Sequence, residues 1–142
     1  MAQQFALENI RNFCLLSHAG AGKTSLSEAV LFVSGATSRL GKVEEGTTVS
    51  DYDPDEIKRK ISINITTLPL QWKEHKINML DTPGYSDFAG EVKAAVRVSE
   101  CALVLVDAIS GAEVGTEQVW SYAEQAKLPR FIFVNKMDRE NA

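Results

Sequence analysis

The chain has 142 residues, 44% of them hydrophobic, enough for one domain with a sizeable core. Nine glycines and four prolines exclude a collagen-like or low-complexity chain, and the apolar fraction excludes a disordered one. Fifteen Lys and Arg against nineteen Asp and Glu leave a net charge of -4, a balance that argues against binding nucleic acid through bulk electrostatics. Cys14 and Cys101 sit in apolar runs and read as buried, reduced thiols. No stretch approaches the roughly 20 apolar residues of a membrane span. Residues 1–11 lack the pattern of a signal peptide, so the expected compartment is the cytoplasm and no membrane partner is expected.

In chain order, Phe13 to Leu16 is a continuous apolar run, as in a parallel strand buried on both faces. A helix is predicted over Lys23 to Ser34, with Leu26, Ala29, Val30 and Val33 as its apolar stripe and Gly35 as its stop. Ala36 to Lys60 has no clean period and carries Gly41, Gly46, Pro54 and many charges. A connection of that length is usually functional or mobile. Ile61, Ile63 and Ile65 alternate with polar residues and predict a half-buried strand. Gln71 to Lys76 would join it to a strand at Ile77–Leu80 as an antiparallel hairpin. A helix follows on the face Phe88, Val92, Ala95, Val96 and Ser99. Then come a strand at Ala102–Val106, a helix marked by Val119, Tyr122, Ala123 and Ala126, and a strand at Phe131–Val134. This alternation predicts an α/β layer fold with a mostly parallel sheet flanked by helices.

Three motifs punctuate the order. Ser17 to Thr24 fits G-x-x-x-x-G-K-[ST] except for Ser17 at the first glycine, and it lies between a predicted strand and a predicted helix. Gly20 and Gly22 allow main-chain N–H groups to approach phosphate oxygens at a helix N-terminus. Lys23 suits the β- and γ-phosphates, and the Thr24 hydroxyl suits Mg²⁺. The candidate phosphate-binding set is His18, Ala19, Gly20, Ala21, Gly22, Lys23, Thr24 and Ser25. His18 reads as a packing or solvent-facing residue, with a general-base role as the alternative. Asp81 ends a strand in Asp81-Thr82-Pro83-Gly84, where a carboxylate can hold Mg²⁺ and the Gly84 N–H can meet a γ-phosphate. Asn135-Lys136-Met137-Asp138 follows the last strand. A carboxylate at Asp138 can accept from the N1–H and exocyclic amine of guanine. Adenine would leave it unpaired, which favours GTP over ATP.

With these motifs in order, the chain resembles the N-terminal part of the GTPase domain of elongation-factor-G-type translational GTPases. The likeness runs from Asn9 to Asn141 and includes Glu45-Gly46, Asp51 and Asp87-Phe88 besides the three motifs. The resemblance implies a P-loop GTPase fold and GTP hydrolysis with Mg²⁺. It places switch I in Ala36–Lys60 and switch II around Asp81–Gly90. It also implies a guanine site of Asn135, Lys136 and Asp138, and the ribosome as partner with translocation as output. The family's switch I ends in R-G-I-T, matched here by Arg59-Lys60-Ile61-Ser62, which makes Ser62 a metal ligand beside Thr24 and Asp81.

The chain departs from that pattern at several positions. Tyr85 stands where the family has a water-positioning histidine, and a phenol is a poor base at neutral pH. Gly20 stands where the family has an acidic residue, and Lys60 stands where it has glycine. The catalytic candidates are therefore Lys23, Gly84 and the Tyr85 slot, with slow turnover expected. The alternative is a GTP/GDP switch with little hydrolysis. The resemblance also implies a further strand and helix after residue 142, making residues 1–142 a partial domain. In that case Phe131–Val134 is an exposed edge through which the chain is expected to self-associate.

Overall fold

The computed structural model describes residues 4–142; the first three residues of the N-terminal segment considered above lie outside them. The strands are β1 (Ile10–Leu16), β2 (Thr66–Trp72), β3 (His75–Asp81), β4 (Cys101–Asp107) and β5 (Arg130–Asn135). The helices are α1 (Lys23–Val33), α2 (Pro54–Arg59), α3 (Ala89–Val98) and α4 (Val114–Gln125). One sheet carries the strands in the order β2-β3-β1-β4-β5. Only β2 runs antiparallel to its neighbour β3; the other pairs are parallel. The expected α/β layer architecture is therefore present.

Each sheet face has its own core, because side chains alternate along β1. Cys14 and Leu16 pack with Leu80, Val104, Val92, Ala95, Val96, Val119 and Ala123 on the α3–α4 side. Leu15 packs with Leu31, Leu68, Leu70, Met79 and Leu105 on the α1 side. Alternation with a period of two thus serves two apolar layers, as expected for a strand covered on both faces. Strand β5 closes one edge of the sheet, with Phe131 and Ile132 63% and 60% exposed. Among the described residues, no helix is long and apolar enough to cross a membrane.

Most predicted elements fall where expected. Helix α1 stops as foreseen: Gly35 takes a left-handed φ of 75°, and Ala36 N–H and Gly35 N–H donate to Leu31 O at 2.9 Å and Phe32 O at 3.1 Å.

Three expectations need correction. The strand expected over Ile61–Ile65 is absent, and β2 begins only at Thr66. The main-chain N–H groups of Ile63 and Asn64 donate to the Glu56 carboxylate, and that of Ile65 donates to Glu91. These donors are taken by side chains, so no ladder forms despite the alternation. The hairpin exists with longer arms, pairing Thr66 with Asp81 through Trp72 with His75, so only Lys73 and Glu74 turn the chain where Gln71–Lys76 was expected to join the strands.

The α1 stripe is partly rotated from the predicted one: Leu26 and Val30 pack against the core with Leu31. Val33 is 73% exposed, while Lys23, Ser27, Glu28 and Leu31 are buried. Polar Lys23, Ser27 and Glu28 share the inner face with Leu31, and Glu28 there meets the 36–65 segment. Finally, that segment holds ordered structure: a turn of 3-10 helix at Val43–Glu45 and helix α2. Asp53 caps α2, Pro54 opens it and Glu56 returns to the Asp53 N–H, so the D-P-D-E string was a legible start signal.

Candidate functional site

The C-terminal ends of β1, β3, β4 and β5 bring the three motifs together. The loop after β1 turns through Gly20 (φ 80°) and Gly22 (φ 97°) into the first turn of α1. A Cβ on Gly22 would stand 2.5 Å from Asn135 Nδ2, so only glycine fits that approach. Asn135 Nδ2 donates to Ala21 O at 2.8 Å. Lys136 Nζ donates to Gly20 O at 2.8 Å and to Asp107 Oδ2 at 2.6 Å. The motif after β5 is thereby tied to the loop after β1. Asp107 was not singled out from sequence. Its signal is a carboxylate ending the apolar run of β4, as Asp81 ends β3. The Lys136 hydrogen bond, helped by the Ile109 N–H, holds Asp107 below the usual carboxylate range. Asp138 lies exposed in the turn that follows.

A cleft of about 300 Å³ opens over the loop. It is lined by Ala19, Gly20, Gly22, Lys23, Thr24, Ser25, Ser62, Gly84 and Tyr85, together with Asp51 and Lys60. Lys23 is buried and donates to Ser17 Oγ at 2.7 Å. Burial lowers the Lys23 ammonium to about 8, against the pull of Asp81 and Asp51. Ser17 is therefore more than a small stand-in for glycine, since its hydroxyl accepts from Lys23 and donates to His18 O at 2.6 Å. Gly84 is also sterically required, because a Cβ there would stand 2.7 Å from Ala19 Cα and 2.8 Å from Lys23 Nζ.

Thr24, Ser62, Asp51 and Asp81 form an oxygen-rich cluster. Thr24 Oγ1 lies 3.2 Å from Ser62 Oγ, and Ser62 Oγ donates to Asp51 Oδ1 at 2.8 Å. Both carboxylate oxygens of Asp81 are buried without a hydrogen-bond partner among the described residues. Burial pushes Asp81 up to about 6 despite the nearby Lys23 charge, and burial likewise raises Asp51. Unpartnered buried carboxylate oxygens beside two hydroxyls are hard donors that fit a small divalent cation. Among the described residues, no group of three His, Cys, Asp or Glu could hold a metal, so such a cation would need the hydroxyls. Asp51 joins the predicted metal set of Thr24, Ser62 and Asp81 only in three dimensions, being 11 residues from Ser62.

The remaining predicted residues divide. Tyr85 lines the cleft and is 47% exposed. His18 faces away toward α4: its Nε2 lies 3.6 Å from Glu113 Oε1, and a Cβ on Gly115 would collide with its ring. Lys60 takes a left-handed φ of 56°, so the conformation suited to glycine persists in a residue that carries a side chain.

The family model for the elongation factor Tu GTP binding domain matches residues 8–142. Mitochondrial ribosome-releasing factor 2 of Lodderomyces elongisporus is 45% identical over 137 residues, which are 96% of this chain and 17% of that protein. Elongation factor G 2 of Streptomyces coelicolor is 44% identical over 136 residues, covering 96% of this chain and 20% of its own length. A crystal structure of a Thermus thermophilus protein superposes with a TM-score of 0.91 at 44% identity, over 94% of this chain and 20% of that one. Translation elongation factor SelB of Methanococcus maripaludis, solved with the GTP analogue GppNHp, superposes with a TM-score of 0.68 at 20% identity, covering 90% of this chain and 22% of that one, a likeness of fold. The chain thus spans about a fifth or less of the length of the curated relatives cited.

Two outcomes follow from the site's geometry. Gly22→Ala combines a strained φ with the Asn135 collision and should lower stability by about 1–3 kcal/mol in chemical denaturation. Asp81 binds its proton more tightly in the folded chain than in the unfolded one, since its value rises from 3.8 to about 6. Metal-free protein should therefore lose stability as pH rises from about 4 to 6, with the penalty fully present above that window. Asp81→Asn should flatten that part of a melting-temperature profile measured in chelator.

Proposed function

The chain belongs to the elongation factor Tu GTP-binding domain family, and on that premise we propose that it binds GTP with Mg²⁺ and hydrolyses it slowly as part of a ribosome-dependent translation factor. One observation carries the reading: Lys23, Thr24, Ser62, Gly84 and Tyr85 line a single cleft beside buried Asp81, with Asn135 and Lys136 tied to the same loop. Lys23 and the main-chain N–H groups after Gly20 hold the phosphates. Thr24, Ser62 and Asp81, with Asp51 nearby, hold Mg²⁺, which neutralises phosphate charge when bound. Gly84 meets the γ-phosphate through its N–H. Lys136 lies along the base and Asp138 reads its guanine edge. The working compartment is the one holding the ribosomes it serves: the cytoplasm, or the mitochondrion for relatives whose names say so.

The output at the ribosome is translocation in this reading. The names of the relatives also include ribosome release, which makes recycling the competing output. A second reading, a GTP/GDP switch with little hydrolysis, is favoured by Tyr85 in the cleft. Its phenol can orient water but cannot serve as a base near pH 7.

Asp138→Asn should cut the preference for GTP over ATP by at least about 100-fold, in nucleotide-competition binding to the full-length protein. Unchanged selectivity would remove Asp138 from the base site. Tyr85→His should raise single-turnover GTP hydrolysis on ribosomes by about tenfold or more. An unchanged, measurable rate would show that Tyr85 does not limit the reaction, and a wild-type rate at the uncatalysed level would favour the switch reading.

A further inference from the structure

Helix α1 buries a carboxylate that the proposed chemistry does not use. Glu28 is 0% exposed and lies in the second turn of a helix whose first residues, Lys23 and Thr24, face the cleft. Its Oε2 accepts from Gly41 N–H at 3.0 Å and its Oε1 from Val49 N–H at 2.6 Å. A Cβ on Gly41 would collide with that carboxylate, so Gly41 is what allows the main chain to come so close. At the other end of the segment, Glu91 of α3 accepts from Ile65 N–H at 3.0 Å. Between these anchors, buried Glu56 accepts from Asp53, Ile63 and Asn64 N–H groups and so fixes the interior of the segment.

The pattern has a physical cause. Irregular backbone has no ladder partner, and a buried N–H without an acceptor is costly. A carboxylate supplies two acceptor oxygens and stronger, charge-assisted hydrogen bonds than a neutral group. The segment so held carries Ser62, which lies beside the Thr24 hydroxyl, and Asp51, which accepts from Ser62.

We propose that Glu28 and Glu91 are positioning residues for the candidate GTP site: they clasp the 41–65 segment by its main-chain N–H groups and thereby set Asp51 and Ser62 against Thr24. Glu28 ties this segment to the helix that bears the phosphate loop. Glu91 ties it to the helix that follows Asp81-Thr82-Pro83-Gly84, so the two loops beside the cleft share one mechanical link. The functional half of this inference rests on the GTP-binding reading above.

The two anchors respond differently to the same replacement, which makes the test specific. Glutamine has one acceptor oxygen and one donor group. Glu28→Gln therefore sets an N–H donor against Gly41 N–H or Val49 N–H. Glu91→Gln still offers an oxygen to its single partner, whereas Glu91→Ala does not. The first measurement is limited trypsin digestion of nucleotide-free full-length protein, followed at the exposed Arg39, Lys42, Lys58, Arg59 and Lys60. Glu28→Gln and Glu91→Ala should be cut about tenfold faster than wild type, and Glu91→Gln at the wild-type rate. The second is GTP and GDP affinity with Mg²⁺. In the first two variants the GTP/GDP affinity ratio should fall about tenfold, because Ser62 serves the metal and γ-phosphate side. A purely structural role would weaken both nucleotides equally.

Wild-type digestion in folded Glu28→Gln and Glu91→Ala would overturn the proposal, as would Glu91→Gln behaving like Glu91→Ala. Equal loss of both nucleotides would overturn its functional half. If Glu28→Gln fails to fold, the half-buried Glu91 pair decides. Wild-type protein that binds no GTP would overturn the functional reading instead, with digestion still judging the clasp.

Discussion

Everything at the cleft hangs on the parallel pairing of β1 with β3, in which Leu15 stands opposite Asp81. Parallel neighbours end on the same edge of a sheet. The loop that follows β1 and the carboxylate that ends β3 are therefore delivered to one place, whatever the side chains do. Thr82 locks the register by donating to Leu15 O at 2.5 Å from a fully buried position. Beside it lie Lys23 and Asp81, both buried and both displaced from their ordinary titration ranges by loss of water. Burial of an ammonium, and of a carboxylate without a hydrogen-bond partner, is an arrangement that a ligand of complementary charge would relieve.

The second constraint is the long segment before β2. Its backbone is satisfied by carboxylates at Glu28, Glu56 and Glu91 rather than by a strand partner. This explains why buried Glu28 sits on the inner face of α1 and why alternating isoleucines fail to make a strand. An oxygen-rich cluster built on such a segment is as well placed as its hydrogen bonds allow. That ties the proposed metal site to residues on three different helices.

The third is the link between the loop after β1 and the residues after β5. Asn135 and Lys136 donate to main-chain oxygens of Ala21 and Gly20, and Asp107 receives the same lysine. Together with the approach that Gly22 permits, these contacts make the loop after β1 and the proposed base reader one unit. Loss of any member should be felt on both sides.

The layer architecture, most strands and helices between Phe13 and Val134, and the three motifs were legible from residue order, whereas helix α2 was not foreseen. Apolar runs, helical periodicity and glycine spacing are local properties, and they survive without knowledge of the neighbours. The misplaced strand at Ile61–Ile65, the partly rotated stripe of α1 and the roles of Asp51, Asp107, Glu28 and Glu91 were not legible. Each depends on which distant group meets a main-chain N–H or a lysine, across 7 residues for Glu56 with Ile63 and 29 for Asp107 with Lys136. Sequence by itself thus determined the layer architecture and the order of the motifs along the chain. Tertiary structure alone decided which polar groups satisfy one another, because hydrogen-bond partners are chosen by proximity in space, which no periodicity along the chain encodes.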